Sequence, residues 1–536
     1  RREDDSLRAH RNVLDSAPGY AAGSRMMGPR EMNAVRKRGR PGSIKVGLIY
    51  PSTYEASLAS LAYQSMYYYL NSLPEFVAER FTYDRGPVGL DWGSRLSSMD
   101  ALIASVHYEL DYANMVEMLL RAGIEPLRER RSGPPLIVGG PAAAANPMPI
   151  SEIADLVVVG DLEPLLPRLA EKLAESPSRA AEGLAGRDGF FGAGAGRVRL
   201  VRAGELPLEF HPIAQLQPMD AEPVWGRSLI VESSRGCSRL CKFCMEGNMY
   251  FPAVHRPLDQ ILRIIELGLP ANRVDRVTFY SLSFFDHPDA DSILDAVSEL
   301  GAQASLPSVR LDSLDEERLR RIAGLGQRTL TVAPESGACW LRRALGKPWP
   351  EEALVDVASK AAEAGVEALK LYYMLGLPGE GPDSAEAIAR EVLRVKRAAR
   401  LRLSVSVTPF MPKPHTPLQW AGMEGERALE GKIRALASAL RAEGVKFDFY
   451  SPRLARVQTA IARGGPEMAC PLLKRAGGIA WGRAFSECGI DLDARTSELD
   501  RGGEAPWAVV ELPRPLDALL RAADAYWAEL REGRCP

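Results

Sequence analysis

Three cysteines, Cys237, Cys241 and Cys244, crowd into the run Glu232-Ser-Ser-Arg-Gly-Cys-Ser-Arg-Leu-Cys-Lys-Phe-Cys-Met-Glu-Gly. The C-x3-C-x2-C spacing puts three thiols on one tight loop. Iron–sulfur cubanes are ordinarily held by four thiolates, so three with no fourth nearby leave one iron open to another ligand. A structural zinc site needs four ligands, and the nearest spare donors, His255 and Cys339, lie outside any zinc-ribbon spacing. Arg235, Arg239 and Lys242 are expected to lower the thiol pKa values and favour thiolates. The run follows Ser228-Leu-Ile-Val-Glu, a short apolar strand, so the cysteines sit in the loop leaving it. In a β/α barrel that is the catalytic end.

At 536 residues the chain exceeds one hydrophobic core, and two or three domains are expected. Net charge is −2, which gives no support to a nucleic-acid or anionic-membrane partner. No apolar run reaches the roughly 18 residues of a transmembrane helix. Seven cysteines in such a length do not read as a disulfide framework, and a cluster needs reducing conditions, so a cytoplasmic location is expected. Cys339, Cys470 and Cys488 read as buried small side chains. Residues 1–42 read as a disordered basic leader.

From Ile44 short apolar strands alternate with amphipathic helices, which predicts an α/β, doubly wound, Rossmann-like domain over 43–180. Residues 181–225, rich in Gly, Ala and Pro with a hairpin at 197–202, read as a linker. Over 226–422 six βα units predict a partial (β/α)6 barrel, with strands beginning near Ser228, Val274, Gln303, Thr329, Ala368 and Leu403. Residues 423–536 read as a helical C-terminal cap, with helices over 424–443 and 467–489.

The cysteine run closely resembles that of the radical S-adenosylmethionine (SAM) superfamily. Pro412-Lys-Pro-His415-Thr-Pro-Leu-Gln-Trp420 is similar to a segment of a widespread group of radical SAM proteins that begin with a cobalamin-binding-like domain. Gly139-Gly140-Pro141 and Val159-Gly-Asp-Leu-Glu163 resemble that domain. Its cobalt-ligating D-x-H-x-x-G motif is absent, and His107 has no matching aspartate, so cobalamin is left open.

The resemblance implies a [4Fe-4S] cluster on Cys237, Cys241 and Cys244, with SAM chelating the open iron. It places Phe243 against adenine, Ser281 and Ser283 where the family binds the SAM amino group, and Ser308 and Arg310 near the ribose or carboxylate. It also sets Glu335, in Glu335-Ser-Gly, near the SAM hydroxyls, and Gly376, in Gly376-Leu-Pro-Gly-Glu380, near adenine. His415 is expected to make a structural hydrogen bond. The implied activity is radical modification of an unactivated carbon, with cobalamin-assisted methyl transfer favoured, fed by an electron donor such as ferredoxin or flavodoxin. Modification of RNA and a cluster-bearing non-catalytic scaffold are the alternatives. No segment names the substrate.

Overall fold

The computed structural model describes residues 28–533 and Cys535. The expected leader up to residue 27 lies outside the described residues. Its last part does not behave as a leader. Glu31–Met32 pairs antiparallel with Gln217–Pro218, and Val35 is buried. Glu31 and Asp91 both hold the guanidinium of Arg80 at 2.6 Å, all three side chains being buried. Two carboxylates around one guanidinium cancel much of the desolvation cost that each charge would carry alone.

In the N-terminal domain five parallel strands run in the order Phe76–Thr82, Ile44–Tyr50, Ala101–Ser105, Leu136–Gly139, Leu156–Val158. Their near-continuous apolar sequences are those of strands covered on both faces. Leu61–Ser72 and Leu162–Glu175 cover one face, and Asp111–Arg121 the other. The strand order reverses between Ile44–Tyr50 and Ala101–Ser105, and the crevice beyond their carboxyl ends is where ligands bind in such sheets. The expected linker instead supplies a sixth, antiparallel strand, Phe190–Gly192. The expected hairpin is not formed: Val198–Arg199 pairs in parallel with Val510–Glu511.

The barrel has seven parallel strands among the described residues. Leu229–Glu232, Arg276–Tyr280 and Gln303–Ser305 form one run; Thr329–Glu335, Ala368–Leu375, Arg402–Pro409 and Lys446–Phe449 form a second. A parallel bridge between Val309 and Val332 joins them. The seventh strand lies inside the segment expected to be a helical cap, so the barrel extends past residue 422. Along Ala368–Leu375 and Arg402–Pro409 burial alternates strictly: Leu369, Leu371, Val405 and Val407 pack against the helices. The opposite face presents Lys370, Tyr372, Ser404 and Ser406, half-buried. That inner surface is polar and partly open, unlike a barrel filled with branched apolar layers.

Beyond the barrel, the expected helix over 467–489 breaks at Gly477–Gly478 into Ala469–Ala476 and Trp481–Glu487. The first of these packs on Asp111–Arg121 of the N-terminal domain. Cys470 and Cys488 are joined as a disulfide with their Cα atoms 6.0 Å apart, and Cys339 is joined to Cys535 at 5.3 Å. These pairings correct the reading of Cys339, Cys470 and Cys488 as isolated core residues; tertiary proximity of this kind has no signature in their spacing. No helix among the described residues is long and apolar enough to cross a membrane.

Candidate active site between two strand ends

The cysteine loop leaves Leu229–Glu232 and turns through a short helix, Met245–Met249, capped by Cys244. Gly236 has φ +76°, and a Cβ there would meet the Tyr250 carbonyl oxygen at 1.9 Å, so only glycine lets the loop close on itself. Asn248 Nδ2 donates to the carbonyls of Cys241 and Cys244, and the Lys242 amide donates to Leu345. Backbone amides of Arg239 and Gly247 each lie 3.4 Å from Sγ of Cys237 and Cys244. The described residues bring no three ligating side chains to a single ion. A cubane places each thiolate on a different iron, so the three sulfurs need not converge on one point.

The expectation that neighbouring cations depress the thiol pKa values fails. Arg235 is engaged by Glu163 and Glu232, and Arg239 by Asp286. With those charges spent, burial dominates: it pushes Cys237 up, and Cys244 up to about 12. Lys242 is itself lowered by burial.

Three of the expected SAM residues come together at this loop. Arg310 Nη1 stands 3.7 Å from Cys241 Sγ while its other nitrogens hold Asp312 at 2.8–2.9 Å. Glu335, at φ +69° on the end of its strand, accepts from Lys347 Nζ at 2.6 Å. The Lys347 ammonium lies 5.8 Å from the ring of Phe243 and 5.6 Å from that of Trp349, and Trp349 in turn lies under Arg310. Lys347 and Trp349 thus tie Phe243, Arg310 and Glu335 into one wall. Neither was visible in the sequence, because they follow Gly346 in an irregular stretch with no motif.

The serines behave differently. Ser281 Oγ and Ser234 Oγ are 2.6 Å apart, and Ser281 also accepts the amide of Ser283. Ser308 is exposed and is not brought into this wall by any hydrogen bond among the described residues. Gly376, at φ +81°, turns the chain at the end of Ala368–Leu375, and Glu380 caps that turn by accepting from the Leu377 amide. His415 is buried, and its Nε2 lies 2.9 Å from the Ala145 carbonyl oxygen; burial lowers its pKa to about 4. The expected structural hydrogen bond is formed, and its partner lies in the N-terminal domain.

The carboxyl ends of both parallel sheets face one cleft. Lys413 and Gln458, from beyond the barrel strands, hold the two oxygens of Glu109 from the N-terminal domain. Tyr280 donates to the Ala59 carbonyl across the same boundary. Between them lies a cavity of 380 Å³, within the range of small-molecule and cofactor sites. It is lined by small residues at the strand ends and the cap of Leu61–Ser72, among them Ser60, Ala104, Ser105, Gly139 and Gly160, by Leu165 and Leu169, and by Asp161 and Glu163, while Gly236, Glu246 and Tyr250 of the cysteine loop form part of its wall. Burial raises the pKa of Glu246, and that of Asp111 at the cleft to about 6.

The profile of the N-terminal region of radical SAM proteins matches residues 62–183, and that of the radical SAM superfamily matches residues 231–392. The chain is a radical SAM enzyme. The radical SAM profile takes in the cysteine loop and the strands that carry Arg310, Glu335 and Gly376. An uncharacterized protein of Methanocaldococcus jannaschii is 28% identical over 426 residues, covering 79% of this chain and 89% of that protein. Another from Methanopyrus kandleri is 24% identical, covering 62% and 73%. The radical SAM methyltransferase TsrM of Kitasatospora setae, solved with tryptophan and a SAM analogue, shares the fold. Its TM-score is 0.51 at 16% identity, with 70% of this chain and 75% of that one covered.

Proposed function

We propose that Cys237, Cys241 and Cys244 hold a [4Fe-4S] cluster, that SAM binds against Phe243, Arg310, Glu335 and Gly376, and that a corrinoid occupies the cavity between the domains for transfer of a methyl or other one-carbon group. When bound, these groups supply reductive cleavage of the SAM sulfur–carbon bond and a carrier for one-carbon units. The chain's own contribution is position and exclusion of water. Arg310, held by Asp312, presents a guanidinium suited to a carboxylate beside Cys241. Lys347 keeps Glu335 in place, and the Phe243 ring offers a flat apolar face to a purine. Serine, alanine and glycine at the strand ends would let one face of a flat macrocycle approach the backbone there.

The observation that carries this reading is the joint wall: one cavity is lined both by the switch point of the N-terminal sheet and by the cysteine loop of the barrel. A carrier seated there lies within reach of chemistry started at the loop. The structural neighbour TsrM is a methyltransferase, which supports that reading. A low-potential donor of the ferredoxin or flavodoxin kind is required, which favours the cytoplasm.

Anaerobic reconstitution tests the proposal. About four iron and four sulfide per chain are expected, with 5′-deoxyadenosine or S-adenosylhomocysteine released on adding SAM and dithionite. An intact cluster that yields neither product would overturn it in favour of a non-catalytic scaffold.

A further inference from the structure

The loop after Ala101–Ser105 carries a histidine to the crevice where the N-terminal sheet reverses its strand order. His107 lines the cavity, its Nε2 lies 3.4 Å from Ser60 Oγ across the switch point, and its ring centroid is 5.5 Å from that of Tyr50. The Ser60 approach is long for a hydrogen bond and is the one recorded for the ring among the described residues. Ser60 Oγ accepts the Tyr63 amide as the cap of Leu61–Ser72 and keeps a second lone pair for an Nε2–H of His107, which leaves the Nδ1 lone pair unused by it. An imidazole held this loosely at a ligand crevice has a nitrogen lone pair to spare.

The backbone brings it there by design of the neighbouring strand. Gly140 has φ +110°, and a Cβ on it would meet the Val106 carbonyl oxygen at 2.2 Å. Glycine alone permits the end of Leu136–Gly139 to press against the residue preceding His107, which fixes the loop over the cavity floor. Strand Ile44–Tyr50 and the loop that follows it, residues 51–60, contain no histidine. The donor therefore comes from the other side of the switch point, one strand over.

We propose that the His107 imidazole is the lower axial ligand of the cobalt when a corrinoid occupies this cavity. The assignment rests on the corrinoid reading above and adds to it a named ligand from a different loop than the absent D-x-H-x-x-G motif would use. His211 also lines the cavity, but its Nε2 already faces the Glu232 amide at 3.3 Å. Imidazole is a common ligand for late first-row metals, and its orientation is set by what its second nitrogen meets, here Ser60.

The test is electron paramagnetic resonance of the full chain loaded with cob(II)alamin. Axial coordination by a ¹⁴N donor splits the high-field lines into triplets. In protein grown on ¹⁵N-histidine, the triplets are expected to become doublets, and in His107→Ala, similarly labelled, the doublets are expected to be lost. Triplets that persist in labelled wild-type protein, from the corrinoid's own base, would overturn the assignment and leave the corrinoid reading standing. Doublets that persist in His107→Ala would move the ligand to another histidine and overturn it equally. Failure of the wild-type chain to retain cob(II)alamin at all would overturn the corrinoid reading itself, and the axial assignment with it. Retention of cob(II)alamin by His107→Ala, read from its visible spectrum, shows that a loss of the doublets is loss of the ligand and not of the fold, and unsplit lines in labelled wild-type protein would overturn the assignment.

Discussion

The two parallel sheets end on the same cleft but are dressed for different work. The barrel's strand ends carry charge: Arg310 with Asp312, Glu335 with Lys347, and Arg239 with Asp286, all around three thiols. The N-terminal sheet's ends line a void with small residues and one imidazole, and their acidic groups Asp161 and Glu163 are turned to Arg235 at its edge. A reactive centre needs polar groups held rigidly in place, and ion pairs supply this. A carrier needs room and a smooth bed. On the proposed reading the same strand–helix alternation yields a chemical half and a holding half, and the difference lies in the loops rather than in the sheets.

Replacing Cys237, Cys241 and Cys244 by alanine is the severest way to test that division. Nearly all iron and sulfide should be lost, with SAM cleavage falling to background, while retention of cob(II)alamin by the N-terminal half persists. Loss of both together would mean that the halves are not separable.

Arg80→Met should cost about 3–5 kcal/mol of stability, because it strands two buried carboxylates, Glu31 and Asp91. Chemical denaturation reads the loss. A change below about 1 kcal/mol would show that this ion triad does not anchor the N-terminal half.

Arg310→Lys removes a planar donor 3.7 Å from Cys241 Sγ but leaves the cysteines. Charge-assisted hydrogen bonds of this type are worth about 1.5–3 kcal/mol, so SAM cleavage should fall about 10- to 100-fold with iron content unchanged. A fall in iron content of the same size would make Arg310 part of the cluster's support instead.

Asp111 gives the smallest effect. Burial raises its pKa to about 6, above the ordinary value of 3.8, so the folded protein binds a proton more tightly than the unfolded chain. Its contribution to stability is therefore most favourable below pH 4 and falls as pH rises from about 4 to 6. Asp111→Asn removes that penalty and should stabilise the protein by about 2 kcal/mol above pH 6, with little change at pH 4. Equal effects at both pH values would contradict the burial account.

The contrast between the halves also governs what could be read from the sequence. The apolar strands were legible because each is a short continuous or alternating run, and the cysteine loop because its chemistry is written in spacing. Lys446–Phe449 was not, since only Phe447 is buried and the strand shows no pattern. Glu31 looked like one more charge in a basic leader; its burial depends on Arg80 and Asp91, 49 and 60 positions away. Phe190–Gly192 was hidden by surrounding glycines. At the site, Phe243, Arg310 and Glu335 were found by resemblance to a family, but Lys347 and Trp349, which bring them together, arise from tertiary packing alone. Ser281 and Ser234 satisfy each other, a local pairing that motif position could not foresee.

The chemistry proposed for the barrel half depends on an open iron that SAM completes. Electron–nuclear double resonance on the reduced cluster, with SAM labelled with ¹⁵N at its amino group, measures this directly. The account predicts a ¹⁵N coupling to the cluster that is absent without SAM. A reduced four-iron cluster whose spectrum shows no such coupling, with SAM present in excess, would contradict it.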